Sequence, residues 1–278
     1  MNKIFFNEEW QAAFAKNGYV VVPNFLNRDE VEYLSQVYSQ YSINDRRGFH
    51  ASSHIDSYNY RNVINQEISN IFDSNAQNLL AGYRACFAAF TVKEPGPESV
   101  VPNHLDWSMV DENRDISLTV WCPLTNINTQ NGYLWVLEGS HKMGKTIRGG
   151  PGYYIYSEKP FSWLPRHVYK QVPLSINAGD AVIYDHRLFH GSSPNMSNDS
   201  RLAINQTMLP SDVPSKHYSL KDNYTIEVFE VDDDFYLRYE MGTVPTDVEH
   251  VDTLNIQPNF LSLDEINQLI AQETATGH

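Results

Sequence analysis

Cysteine is nearly absent from this 278-residue chain, and the two present, Cys86 and Cys122, cannot build a disulfide framework. Both have apolar or aromatic neighbours, so buried free thiols in a reducing compartment are expected. Basic residues are scarce too: 20 Lys and Arg against 34 Asp and Glu leave a formal net charge of −14. Nucleic acid and anionic membrane surfaces both call for a basic footprint, so neither is expected as a partner. No run approaches the roughly 18 apolar residues of a membrane span. The N-terminus carries acidic residues and lacks the apolar centre of a signal peptide. Internal repeats, low-complexity segments and linkers are missing as well. These absences predict a soluble cytoplasmic protein built as one domain over 1–278. Its 41% hydrophobic and 13% aromatic content is enough for one large core.

What is present divides the chain into a helix-rich part (about 1–95), a strand-rich part (about 96–210) and a C-terminal extension (about 211–278). Phe6, Trp10 and Phe14 recur every four residues and predict a short helix ended by Asn17-Gly18. The β-branched run Tyr19 to Val22 predicts a strand. Asn27 is placed to cap a helix from Arg28 to about Tyr41. The stretch from Asp45 to Tyr60 is polar and reads as loop. A helix is expected over about 62–80, interrupted at Asp73-Ser74-Asn75, and then a strand over Arg84 to Val92. Further strands are predicted at 101–107, 116–123, 133–137, 168–174, 181–184 and 202–209, with turns at Asn131-Gly132 and Gly179-Asp180. Many short strands after a helical start predict a mainly β fold, a sandwich or barrel with flanking helices. The Gly- and Tyr-rich stretch from Gly139 to Pro165 has no period and reads as a lid. The tail adds strand patterns at 225–231 and 235–239, then a helix opening with the capping box Ser262-Leu263-Asp264-Glu265.

Within the strand-rich part lies His104-Leu105-Asp106. Residues two apart on a strand share a face, so this spacing aims an imidazole and a carboxylate into one cavity. His190 arrives later, at a strand end before Gly191-Ser192. Two histidines and one carboxylate leave half of a metal's coordination open, which is the ligand set of non-heme Fe(II) oxygenases. Arg201, eleven positions on, offers a planar fork for a carboxylate. The motif is not unique in the chain, because His54-Ile55-Asp56 repeats its spacing. Only the later copy has strand texture around it, and a solvated loop is the plainer account of the earlier one. His186 competes with His190, but its neighbours read as strand and no turn follows it. His141 reads as a turn residue.

The ordered set of motifs resembles the phytanoyl-CoA dioxygenase-like family of Fe(II)- and 2-oxoglutarate-dependent oxygenases. It comprises Gly18-Tyr19-Val20-Val21-Val22-Pro23, Asn103-His104-Leu105-Asp106-Trp107 and Val120-Trp121-Cys122-Pro123-Leu124. It continues with Asn131-Gly132-Tyr133-Leu134, then Leu137 to His141, and ends with His190-Gly191-Ser192 and Arg201. The resemblance implies a double-stranded β-helix (a jelly-roll, cupin-like barrel) with Fe(II) held by His104, Asp106 and His190. It implies 2-oxoglutarate as cosubstrate, clamped by Arg201 and lined by Ser192 and Trp121, with O2 consumed and succinate and CO2 released. The presence of Asp106 favours hydroxylation over halogenation.

The substrate is expected to be a small organic molecule, with Trp107, Asp111, Arg148 and Tyr153 as candidate contacts. Two other classes fit a metal-binding barrel: a cupin-like enzyme without cosubstrate, and a non-catalytic ligand-binding barrel. The first has no need of Arg201, and the second has no need of the metal ligands.

Overall fold

The computed structural model describes residues 3–42, 46–142, 147–150, 169–222, 225–240 and 242–255. Helices α1 (Glu8–Asn17), α2 (Arg28–Tyr41) and α3 (Tyr58–Gln77) frame two short strands, β1 (Tyr19–Val22) and β2 (Phe49–Ala51). Local chemistry sets the helix ends. The Asn7 side chain accepts the Glu9 and Trp10 N–H groups, and Gly18 closes α1 with φ +83°. Asn27 and Glu30 form a reciprocal capping box on α2.

Eight strands then wind into the barrel: β3 (Tyr83–Lys93), β4 (Val101–His104), β5 (Leu118–Pro123), β6 (Leu134–Leu137), β7 (Gln171–Leu174), β8 (Ala181–Asp185), β9 (His190–Ser192) and β10 (Arg201–Pro210). They divide into two antiparallel sheets, with successive strands changing sheet except at the β6–β7 pair. The larger has the order β1-β8-β5-β10-β3-β2 and the smaller β4-β9-β6-β7. This is a double-stranded β-helix, with β1 and β2 extending the larger sheet.

The two-residue side-chain period divides the core. On β5, β8 and β10, Val120, Cys122, Ile183, Leu202 and Ile204 point to the helices and join Phe14, Leu34, Ile64, Ile68 and Phe72. Their neighbours Trp121, Val182, Tyr184 and Ala203 point into the barrel against Leu134 and Val136. The central strands are therefore buried on both faces and nearly unbroken in apolar character. Both cysteines are buried and unpaired.

The C-terminal extension forms a third sheet, β11 (Ser215–Asp222), β12 (Thr225–Val231) and β13 (His250–Asn255), with a short helix α4 (Phe235–Arg238) between the last two. One part of it packs Phe229, Val231 and Phe235 on Met109 and Val110, close to the end of β4. Among the described residues no helix is long and apolar enough to cross a membrane.

The expected elements differ from these in several places. Helix α3 runs without interruption through Asp73-Ser74-Asn75. Ile64, Ile68, Phe72 and Ala76 form one continuous buried face, so packing overrides the polar trio, whose Asp73 accepts from Gln206 at 2.7 Å. The loop expected over 45–60 contains β2, a single 3-10 turn (Ser52–His54) and the start of α3. Residues 235–239 make a helical turn rather than a strand. Strand β4 stops at His104 rather than Trp107, which changes how Asp106 must be held. The helix expected from Ser262 and most of the Gly139 to Pro165 segment lie outside the described residues.

A Cβ added at Gly191, between His190 and Ser192 of β9, would run into the Trp135 ring and come 2.9 Å from the Val101 carbonyl. Gly191→Ala should lower unfolding free energy by roughly 1–3 kcal/mol, the usual cost of overpacking, as read from urea denaturation.

Candidate metal centre

Strand pairing creates the site. In the antiparallel ladder of β4 and β9, His104 lies opposite His190. Their ring centroids are 4.2 Å apart. Each Nδ1 sits by a backbone carbonyl, Pro102 at 2.8 Å for His104 and Leu188 at 2.9 Å for His190. A carbonyl only accepts, so each Nδ1 carries the proton and each Nε2 keeps its lone pair for the shared space.

Asp106 supplies the third donor: its Oδ1 is 3.8 Å from His104 Nε2 and 3.7 Å from His190 Nε2. One ligand atom from each of the three residues lies within 4.8 Å of the others. Burial, then the nearby His190, pushes the His104 imidazole down to about 4, which keeps it neutral and able to ligate. Burial alone would raise the Asp106 carboxyl. His190, His186 and His104 and the Thr119 hydroxyl outweigh that and hold it at about 2.

Thr119 and His186 form a second layer. Thr119 Oγ1 donates to Asp106 Oδ2 at 3.0 Å and lies 3.1 Å from His186 Nε2, while His186 Nδ1 is 3.0 Å from the Trp107 carbonyl. His186, the competitor of His190, thus works through Thr119 instead of reaching the shared space. Tyr184 flanks His190, with its hydroxyl 3.4 Å from Nε2, and burial, followed by Asp106, raises its phenol well above the usual value.

These groups line a cavity of about 390 Å³ inside the barrel. Arg201 enters it from the start of β10. The side chain is buried, and its Nε and Nη1 find no hydrogen-bond partner among the described residues. The Trp121 ring lies 5.4 Å from its Cζ. Burial pushes the guanidinium down to about 9. Lys93, its partner across the β10–β3 ladder, is fully buried too, and burial with Arg201 pushes it down to about 7. A buried guanidinium with orphaned donors is a site for an anion.

The candidate contacts fall into three groups. His104, Asp106, His190, Arg201, Ser192, Trp121 and Trp107 all line the cavity. Arg148 and Asp111 do not, and both expectations are corrected. Arg148 is sequestered in a bidentate ion pair with Glu112, at 2.8 and 2.6 Å, with both side chains 1% exposed. Asp111 turns back on its own loop, accepting the Asn113 N–H at 3.1 Å. Tyr153 lies outside the described residues.

Of the rival motif, His54 reaches the cavity rim beside Ser53 while Asp56 is exposed and off the lining. Sequence reasoning missed Thr119, Asn205 and Thr207. The signal was available in the strand period: Thr119 stands two before Trp121, and Asn205 and Thr207 stand four and six after Arg201, on the same faces.

The comparisons with known proteins decide the family. Residues 14–203 match the Phytanoyl-CoA dioxygenase (PhyH) family. The chain belongs to this family. A curated "Phytanoyl-CoA dioxygenase" of Arabidopsis thaliana is 32% identical over 151 residues, 52% of this chain and 51% of that protein. The chain spans about half the length of the curated relatives it matches. Among solved structures, the epimerase SnoN in complex with Fe3+, alpha ketoglutarate and nogalamycin RO aligns with TM-score 0.57 at 17% identity, covering 91% of this chain and 96% of that one. HygX from Streptomyces hygroscopicus with nickel and 2-oxoglutarate bound aligns with TM-score 0.54 at 15% identity, over 74% and 88%. At these identities the likeness is one of fold, and it agrees with the jelly roll.

The two His-x-Asp copies make opposite predictions. Asp106→Ala should weaken Co(II) binding by at least an order of magnitude in calorimetric titration of the apoprotein, as expected for removal of a ligand. Asp56→Ala should leave the affinity unchanged.

Proposed function

We propose that this PhyH-family protein is an Fe(II)- and 2-oxoglutarate-dependent dioxygenase that hydroxylates a small organic molecule. One observation carries the reading: two Nε2 atoms and a carboxylate oxygen converge in the same cavity as a buried arginine whose Nε and Nη1 have no partner among the described residues. The donor set suits a divalent metal with an open face, and the arginine suits the far carboxylate of a dicarboxylate cosubstrate. Iron and 2-oxoglutarate, when bound, would supply the oxidising chemistry, with O2 consumed and succinate and CO2 released.

The protein's own part is orientation and exclusion of water. The carbonyls of Pro102 and Leu188 fix the tautomer and direction of His104 and His190. Thr119 occupies Asp106 Oδ2, which leaves Oδ1 to face the two imidazoles. Arg201 would pair with the cosubstrate's distal carboxylate, with Trp121 stacked on the guanidinium and Ser192 adding a hydroxyl to the same wall.

Part of the wall beyond the metal ligands is apolar, formed by Phe49, Phe87, Val100, Trp107 and Met109, with Ser53, His54 and Glu98 among its polar members. This apolar sector is suited to a substrate carbon skeleton and keeps bulk water from the reacting groups. A cupin-like enzyme without cosubstrate would leave Arg201 buried and unpaired, at a cost with no return.

Anaerobic titration of Fe(II) into the apoprotein with 2-oxoglutarate tests this directly. A weak visible charge-transfer band should appear and be lost or strongly reduced in Arg201→Ala. Iron bound without such a band would turn the assignment toward the cosubstrate-free class, and absence of iron binding would leave a ligand-binding barrel.

A further inference from the structure

The three ligands are not held alike. His104 and His190 are members of the β4–β9 ladder, but Asp106 lies two residues past the end of β4, in a stretch without regular structure. A ligand on irregular backbone needs other means to stay within the tolerance of a metal site.

Three hydrogen bonds provide it. The Asp106 N–H donates to the His186 carbonyl at 3.1 Å, and Oδ2 accepts from Thr119 at 3.0 Å. The Asp106 carbonyl accepts from Arg148 Nε at 2.6 Å. The same guanidinium uses Nη1 and Nη2 on Glu112 and brings Nη2 to 3.5 Å from the His186 carbonyl. Arg148 therefore joins the Asp106 backbone carbonyl to the His186 carbonyl that accepts the Asp106 N–H, while its charge is balanced by a buried glutamate.

The segment carrying Arg148 is itself gripped by the C-terminal sheet. Ile147 packs with Tyr218, Ile226 and Val228. The Gly149 carbonyl accepts the Leu220 N–H at 3.3 Å, so close to β11 that a Cβ on Gly149 would meet that nitrogen at 2.7 Å. On the other side, Ser108 Oγ accepts the Arg148 N–H at 3.0 Å.

We propose that Arg148 is a positioning residue for the metal carboxylate. In this role it transmits the rigidity of the C-terminal sheet to Asp106 through its Nε, with Glu112 as its fixed counter-ion. The inference rests on Asp106 being a metal ligand. It assigns the C-terminal extension a part in building the metal site, although no described residue of that extension enters the cavity lining. Arginine is required by the geometry. A lysine could neutralise Glu112 but has no second, in-plane donor left for the Asp106 carbonyl.

The test is Co(II) titration of the apoprotein, read by affinity and by the visible spectrum of the bound ion, on wild type, Arg148→Lys and Ser108→Ala, with thermal unfolding in parallel. Arg148→Lys should weaken Co(II) binding by about 10- to 100-fold, the range for losing an outer partner of a metal ligand, and change the Co(II) spectrum. Ser108→Ala, which removes only the hydroxyl seating the Arg148 N–H, should weaken it by about fivefold. It decides the matter if Arg148→Lys does not fold. Wild-type affinity and an unaltered spectrum in the folded variants would overturn the proposal and reduce the Arg148–Glu112 pair to a stabilising contact. Failure of wild type to bind Co(II) would overturn both this proposal and the metal assignment beneath it.

Discussion

The antiparallel pairing of β4 with β9 is the constraint from which the rest follows. It sets His104 opposite His190 by register, and a one-residue slip would turn one imidazole out of the barrel. Closure of the two sheets around that pair buries His190 and Arg201 and leaves His104 and Asp106 half-buried at the cavity. The depressed His104 and Arg201 values share this one cause: burial penalises the charged forms. The barrel thus turns sheet register into a chemical environment, with neutral donors at one point and an unpaired cation at another.

Much of this was legible in the sequence. The alternation of Val120, Trp121 and Cys122, and of Leu202, Ala203 and Ile204, identifies strands buried on both faces. The caps at Asn27 and Gly18 are visible as residue types. The candidate ligand residues stand out in the sequence because strand texture surrounds His104 and not His54.

What remained hidden depends on tertiary context. Nothing local says that β4 ends at His104, because Leu105, Asp106 and Trp107 continue an acceptable strand pattern. The chain leaves the ladder there as Asp106 bonds to the His186 carbonyl instead of a strand neighbour. Arg148 sits in a Gly-rich stretch beside Lys142 and Lys145, which reads as an exposed basic cluster. Its burial depends on Glu112 arriving from 36 residues away. Strand β13 escaped notice because it is exposed along nearly all its length, and β11 because its buried positions include the polar Ser215, His217 and Ser219, so neither shows the apolar alternation of a packed strand.

The unpaired Arg201 has a bearing on how long the folded protein lasts. Among the described residues this buried guanidinium has no counter-ion and lies across the ladder from Lys93, so part of the free energy gained from the apolar core offsets the cost of burying it. A carboxylate arriving in the cavity relieves the penalty only in the folded chain, and the stability gained then grows with the logarithm of its concentration above the dissociation constant. On the proposed function, resistance to unfolding, and with it to proteolysis, would be tied to the supply of a small dicarboxylate, and the chain would be most perishable when that metabolite ran short.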